Sequence, residues 1–371
     1  MNEPLVTRLT RFRKLMAEAD LDVFLVSVPE NRYYLSGYGA DDMNLTESSG
    51  HLLITAVEQF ILTDFRYQEE ALRESPEFKL VVYKEGLASV LPELFAGLAV
   101  QKLGVEGHYL THESYLQIAK ALADACPKAE IRSVKDLIEQ LRRVKEADEI
   151  DAIKASLALT EKALSSVWTM LRPGLTEREL AWKIEVLIRE GGGEAVSFPP
   201  IVAAGPNAAL PHAVPTERKI SPGDCLILDL GSKLNHYCSD MTRTWTAGAP
   251  EAKIQEIYRI VREAQLAAQH RIKAGVNAAE VDKAARELIS QAGYGDQFGH
   301  GLGHGVGLAV HEGPRLRRKS ETILEENMVV TVEPGIYLPG IGGVRLENMV
   351  RVTPTGCEVL NQAELFYPWQ L

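Results

Sequence analysis

Leu5, Leu9, Phe12 and Met16 recur at helical spacing and predict an amphipathic helix over residues 4–19. Residues 22–28 then read as a buried strand, and Pro29-Glu30-Asn31 as a turn. Residues 51–55 and 60–63 pattern as a strand pair, and Thr63-Asp64-Phe65-Arg66-Tyr67 leads into another helix. Residues 79–84 and 103–106 are further strands. Strands alternating with helices over the first 130 residues predict a small α/β domain. From Ser133 to about Leu171 the pattern is helical and highly charged, which marks a connecting helix and then the first helix of a second domain. Pro173-Gly174 stops it. Thr176 and Glu179 form a capping box for the next helix, which Gly191-Gly192-Gly193 ends. Strands and loops follow over 197–246, then helices over 251–273 and 277–291, then strands again over 299–347. Helices followed by strands, twice over, argue α+β with an antiparallel sheet. The expected domains are 1–132 and 133–371, the second built of two ααββ halves alike in architecture and not in residue identity.

Each half carries one acidic hairpin. Folding residues 226–244 about Leu234 and Asn235 sets Asp229 opposite Asp240. Folding 329–347 about Gly340 sets Glu333 opposite Glu347. Residues opposite one another on antiparallel strands sit roughly 5 Å apart, and like charges so placed are destabilising. Taken singly, each pair reads as surface carboxylates. The flanks say otherwise: Cys225 to Leu228 and Met328 to Val332 are near-continuous apolar runs. Carboxylates at the ends of buried strands need a partner, and a cation supplies one for both pairs. Between the hairpins, residues 298–314 hold three of the nine histidines, His300, His304 and His311. No Gly-x-Gly-x-x-Gly occurs there, so no dinucleotide fingerprint is present. Glycines of this density let the backbone approach a site while imidazoles point in.

Four carboxylates with at least one imidazole suit two metal ions, a pair able to activate a water and polarise a carbonyl or phosphoryl group. The oxygen-rich set favours Mn²⁺ or Co²⁺ over a thiolate-type zinc site. His-Glu-x-x-His is absent, so a single-zinc protease helix is not indicated. Arg345 lies two residues before Glu347 and shares its strand face; it could orient a carboxylate ligand, meet a substrate carboxylate, or form a simple salt bridge. His212 sits in a proline-flanked loop, and His236 at the first hairpin's turn. His51, His108, His112 and His270 take no role.

Composition narrows the class. The chain has 371 residues, with 46% hydrophobic and 25% charged side chains, as expected of a soluble globular protein. A net charge of −11 argues against general binding to nucleic acid or anionic membranes. The four cysteines are scattered without a Cys-x-x-Cys pair, as in a reduced cytoplasmic protein. No signal peptide and no apolar stretch long enough to span a bilayer is apparent.

The motifs together resemble the pita-bread metallopeptidases, which include methionine aminopeptidase, Xaa-Pro aminopeptidase and Xaa-Pro dipeptidase (prolidase). They are Pro211-His212, Asp229-Leu-Gly231, Asp240-Met-Thr-Arg243, Gly303-His-Gly-Val-Gly307, Val332-Glu-Pro-Gly-Ile-Tyr337 and Arg345-Leu-Glu347. This resemblance covers about residues 150–360. Asn31-Arg-Tyr-Tyr-Leu-Ser-Gly37 and Thr63-Asp-Phe-Arg-Tyr67 are similar to the creatinase/prolidase N-terminal domain.

The resemblance implies Asp229, Asp240, His304, Glu333 and Glu347 as ligands of two divalent ions, Mn²⁺ first with Co²⁺ or Zn²⁺ as alternatives. Asp240 and Glu347 would bridge, and Glu333 would also take the proton of the attacking water. It implies His212 and His311 as catalytic histidines, and His300, Tyr337 and Arg345 as residues near the substrate. It further implies a homodimer acting on peptides with proline second. Methionine aminopeptidase lacks the N-terminal domain, and creatinase lacks the ligands, all five of which are present here. The leading expectation is an Xaa-Pro aminopeptidase. A strict Xaa-Pro dipeptidase is the alternative, and a non-enzymatic binding protein on the same fold is the remote one.

Overall fold

Alternation places the first core. In β1 (Val23–Val26), Val23 and Leu25 point to one face of a sheet, and Phe24 to the other. On Phe24's side lies α1 (Glu3–Glu18), whose Phe12 meets the Phe24 ring edge-on at 5.3 Å. The computed structural model describes residues 3–246 and 248–362. By contacts the chain divides into two units, Met1–Arg142 and Arg143–Leu371.

In the first unit α2 (Pro29–Ser36) follows β1, where the sequence suggested a turn. Proline pre-sets the helical φ and lacks only an N–H that the first turn leaves unpaired, so Pro29 starts this helix. Gly37 ends it in the left-handed conformation, φ 78°. Next come β2 (His51–Thr55), β3 (Gln59–Asp64), α3 (Gln68–Glu74), β4 (Lys79–Tyr83), α4 (Leu91–Leu98), β5 (Lys102–Val105), α5 (His112–Ala125) and β6 (Glu130–Ser133). The six strands form one sheet in the order β4-β3-β2-β1-β5-β6, with β2 antiparallel to its neighbours and the other pairings parallel. Phe95, Ile118 and Leu122, from α4 and α5, complete the core on the Val23–Leu25 face. The unit runs beyond residue 132, where the sequence reading divided the chain. β6 ends at Ser133, and within α6 (Glu139–Arg143) Arg142 donates to Asn31 Oδ1 at 2.7 Å.

The second unit opens with α7 (Ala147–Met170) and α8 (Glu177–Glu190). Both halves of the Thr176/Glu179 capping box are formed. The first strand group comprises β7 (Ala195–Val196), β8 (Ile201–Ala204), β9 (Cys225–Leu230), β10 (Ser232–Leu234), β11 (Tyr237–Cys238) and β12 (Met241–Thr246). Helices α9 (Ala252–Arg271) and α10 (Ala278–Gln291) follow. The second group comprises β13 (Gly303–Gly305), β14 (Glu312–Leu316), β15 (Val329–Val332), β16 (Gly335–Leu338), β17 (Gly342–Arg345), β18 (Asn348–Val352) and β19 (Cys357–Val359). The sheets run β12-β9-β8 and β14-β13-β15-β18-β19, flanked by smaller ladders. All sheet pairings in this unit are antiparallel. Cys225, Ile227, Val330 and Val332 join one core with Ile257, Val261, Val281 and Ala285 of the helix pair. The sequence's helix-helix-strand order, repeated, is therefore the architecture of this unit.

Candidate metal centre

The first hairpin closes one residue later than its sequence suggested. Asn235 and His236 both take positive φ, 50° and 66°, as a two-residue type I′ turn requires. Leu234 therefore pairs with Tyr237, and Asp229 faces Thr242. Asp240 lies diagonally from Asp229, two residues from the expected register. The second hairpin folds about Gly340 as expected. Val332 pairs with Asn348 and Gly335 with Arg345, so Glu333 and Glu347 face one another where the ladder breaks. The two hairpins join through Glu347 N–H to Thr242 O at 3.1 Å and Thr244 Oγ1–H to Arg345 O at 2.9 Å. Arg243, wholly buried, donates to Glu347 O and to Asn348 Oδ1.

The imidazole comes from β13. A Cβ on Gly303 would lie 2.0 Å from Thr331 O, and one on Gly305 2.1 Å from Gly313 O. Only glycine on either side lets this strand sit so close to β15 and β14 and deliver His304 between them. His304 Nε2 lies 3.3 Å from Glu333 Oε1 and 3.6 Å from Asp240 Oδ2. Its backbone N–H is held by Thr331 Oγ1 at 3.0 Å, and the same hydroxyl donates to Glu333 at 3.1 Å.

Ligand-type atoms of Asp229, Asp240 and Glu347 lie within 4.8 Å of one another, as do those of His304, Glu333 and Glu347, and those of Asp240, His304 and His311. The residues thus converge as three overlapping groups. Asp229 Oδ1 and Glu347 Oε1 are buried with no hydrogen-bond partner. Burial, then repulsion from Glu347, pushes the Asp240 carboxyl well above its usual range, and burial with Glu333's charge does the same to Glu347. Glu333 feels the same burial, but His304's hydrogen bond and charge outweigh it and hold the carboxyl down at about 2. Orphaned carboxylate oxygens in a dry, mutually repelling cluster fit divalent cations.

Arg345 is 3% exposed and fully committed. It donates to Asp229 Oδ2 at 2.7 Å, Thr242 Oγ1 at 3.1 Å, Tyr337 Oη at 2.9 Å and Pro211 O at 3.1 Å. Of the three roles left open by the sequence, orienting the Asp229 carboxylate is the one this geometry fits. Tyr337 does not line the cavity; its hydroxyl lies between Arg345 and His300 Nε2, 2.9 Å from each. His300 does line it, and α10 pins its segment. Arg286 pairs with Asp282 at 2.7 and 2.9 Å and donates to Phe298 O and His300 O, both at 2.8 Å. Asp282 in turn accepts from Leu302 N–H at 3.1 Å.

The cavity, about 580 Å³, holds the five carboxylate and imidazole groups on its floor, with His212 and His311 on the wall. Its remaining wall includes Phe198, Pro199, Pro200, Arg315 and Arg317. Thr242, Thr331, Arg286, Arg315 and Arg317 received no role from the sequence. Thr242 and Thr331 stand inside quoted motifs or apolar strands where they read as β-formers. The arginines lay within charged stretches that pattern as solvated.

Residues 151–354 match metallopeptidase family M24, and residues 8–144 match the creatinase/prolidase N-terminal domain. The chain belongs to metallopeptidase family M24. It is therefore a hydrolase on the pita-bread fold, in a family that uses divalent metal. This M24 peptidase is 38% identical over 357 residues to the Xaa-Pro dipeptidase of Pyrococcus furiosus, covering 96% of this chain and 98% of that one. It superposes on an Xaa-Pro dipeptidase from Bacillus anthracis with a TM-score of 0.90 at 38% identity, covering 98% and 99%. For an X-Pro aminopeptidase from Thermotoga maritima the values are 0.84 and 34%, covering 94% and 98%. Among the described residues, no helix of the M24 peptidase is long and apolar enough to cross a membrane.

Proposed function

We propose that this M24 peptidase is an Xaa-Pro dipeptidase, in place of the aminopeptidase that the motifs alone favoured. The observation that carries this reading is Arg315. It lines the same cavity as the cluster and has no ion pair or side-chain hydrogen bond among the described residues. A dipeptide presents its free carboxylate one residue from the scissile bond, and an uncommitted guanidinium is its natural partner. Arg345, the cation named from the sequence, is already spent on Asp229. The dipeptidases among the relatives support the same choice.

Asp229, Asp240, His304, Glu333 and Glu347 would hold two divalent ions, Mn²⁺ by the oxygen-rich donor set. Bound there, such ions would acidify a nearby water and polarise the scissile carbonyl. The chain's own residues do the rest. Glu333, ionised and held by Thr331, takes the proton from the attacking water. Partial desolvation on the cavity wall and then the neighbouring His304 push the His311 pKa down to about 4, so it is neutral and donates a hydrogen bond to the developing oxyanion, together with His212. His300 lines the substrate's path and is held by Tyr337. Phe198, Pro199 and Pro200 give proline an apolar wall. The reading includes a homodimer in the cytoplasm, consistent with four free cysteines.

The test compares an Xaa-Pro dipeptide with the matching Xaa-Pro-Yaa tripeptide in the presence of Mn²⁺. The dipeptide is cut, and Arg315→Met raises its KM by about 10- to 100-fold, the worth of a charge-assisted pair. Tripeptide cleavage at a comparable kcat/KM would restore the aminopeptidase.

A further inference from the structure

The first unit has a cavity of its own, about 410 Å³, that the peptidase chemistry does not use. It lies at the carboxyl ends of the parallel strands. Ser27 follows β1, Asp64 ends β3, Tyr83 ends β4, and residues 109–111 follow β5. In the order β4-β3-β2-β1-β5-β6 the chain leaves β1 toward one edge and leaves β5 toward the other, so the order reverses between them. Crevices at such reversals, outside the carboxyl ends of strands, are where open α/β sheets bind ligands. The volume is within the range of small-molecule sites.

The wall holds polar groups without protein partners. Tyr83 is 8% exposed, yet among the described residues its hydroxyl has no hydrogen bond. The hydroxyl opens onto the cavity, where a ligand can take its hydrogen bond. His51, 9% exposed, uses Nδ1 on Ser27 Oγ at 3.1 Å, which leaves its other ring nitrogen unpartnered. Burial lowers this imidazole to about 4 and raises Tyr83 to about 12, so both are neutral and able to donate. Four charged side chains reach the wall. Asp64 and Arg66 pair with each other at 2.8 Å, and Glu47 accepts from Asn44 at 3.2 Å. Lys84 is exposed and has no ion pair among the described residues. Apart from the exposed Glu47 carboxylate, the free groups are one ammonium and neutral donors, beside the apolar Leu87, Leu110 and Ile118.

We infer that this cavity is a second ligand site, taking a small carboxylic acid with a flat apolar body, its carboxylate on Lys84 and Tyr83. The inference is independent of the peptidase reading. Benzoate is the probe, and benzamide its uncharged counterpart, titrated into the full-length protein by isothermal calorimetry. Benzoate binds saturably, once per chain, and benzamide at least about tenfold more weakly. Tyr83→Phe and Lys84→Met each weaken benzoate about fivefold or more, while Glu333→Gln leaves it unchanged. The same binding by both probes, parent affinity in Tyr83→Phe and Lys84→Met, absence of saturation by about 20 mM, or loss in Glu333→Gln would each overturn the site.

Discussion

Replacing Arg345 by methionine tests whether this residue serves the metal centre or the substrate. Methionine keeps most of the buried stem and removes the guanidinium with its four hydrogen bonds to Asp229, Thr242, Tyr337 and Pro211. Removing one partner of a buried ion pair costs roughly 3–5 kcal/mol when the other must stay charged. In the metal-free protein Asp229 can take a proton instead, because burial already raises its carboxyl and Arg345 is the main restraint. The loss of stability should therefore fall near the lower end, about 3 kcal/mol. The larger effect is on cation binding, since a carboxylate no longer held in orientation is a poorer ligand. Loss of such an orienting partner typically weakens metal affinity by about 10- to 100-fold. Competition with a fluorescent chelator reads the Mn²⁺ affinity, and dipeptide hydrolysis at limiting and saturating Mn²⁺ reads its consequence. Activity should fall at limiting metal and largely return at saturation, and Arg345→Lys, which keeps the charge and loses the fork, should lie between. If Arg345→Met binds Mn²⁺ like the parent but shows a higher KM at saturating metal, Arg345 meets the substrate and this account of it is wrong.

Two further outcomes follow from groups outside the floor of the cavity. Arg286→Met leaves Asp282 buried and the carbonyls of Phe298 and His300 without donors, so stability should drop by about 3–5 kcal/mol; with His300 loosened, kcat/KM should fall while Mn²⁺ affinity stays at the parent value. His51 has a folded pKa of about 4 against 6.5 when unfolded, so its neutral form favours folding above pH 6.5 and that advantage is lost as pH falls toward 4. Between pH 7 and pH 5 this is worth about 2 kcal/mol. Amide exchange across β1 and β2 should lose that much more protection in the parent than in His51→Gln; equal losses would mean that His51 is already solvated.

Much of the candidate centre could be read from the chain because its carboxylates sit on hairpins, where register follows from turn chemistry. Gly340 marks the middle of the second hairpin, and Glu333 and Glu347 meet as read. In the first hairpin Asn235 and His236, without a glycine, still adopt the left-handed turn, which sets its centre one residue beyond the expected place. Pro29 patterns as a turn because proline stops helices as well as starting them. Arg345's commitments to Pro211 and Thr242 span 134 and 103 residues, a reach that local patterning does not report. The same holds for the cavity of the first unit, whose walls come from the ends of several strands. Tyr337's hydroxyl contacts Arg345 and His300, and the second of these pairings lies across 37 residues, beyond what its motif reports.

The central claim is that five side chains drawn from both halves of the second unit hold the ions that hydrolysis needs. It is tested most directly by metal content and dipeptide hydrolysis measured on the same samples of the parent and of Glu347→Ala. Two Mn²⁺ per chain in the parent, with loss of metal and of nearly all activity in Glu347→Ala, is the predicted result. Parent-level hydrolysis by Glu347→Ala, or by parent protein stripped of metal, would contradict the account.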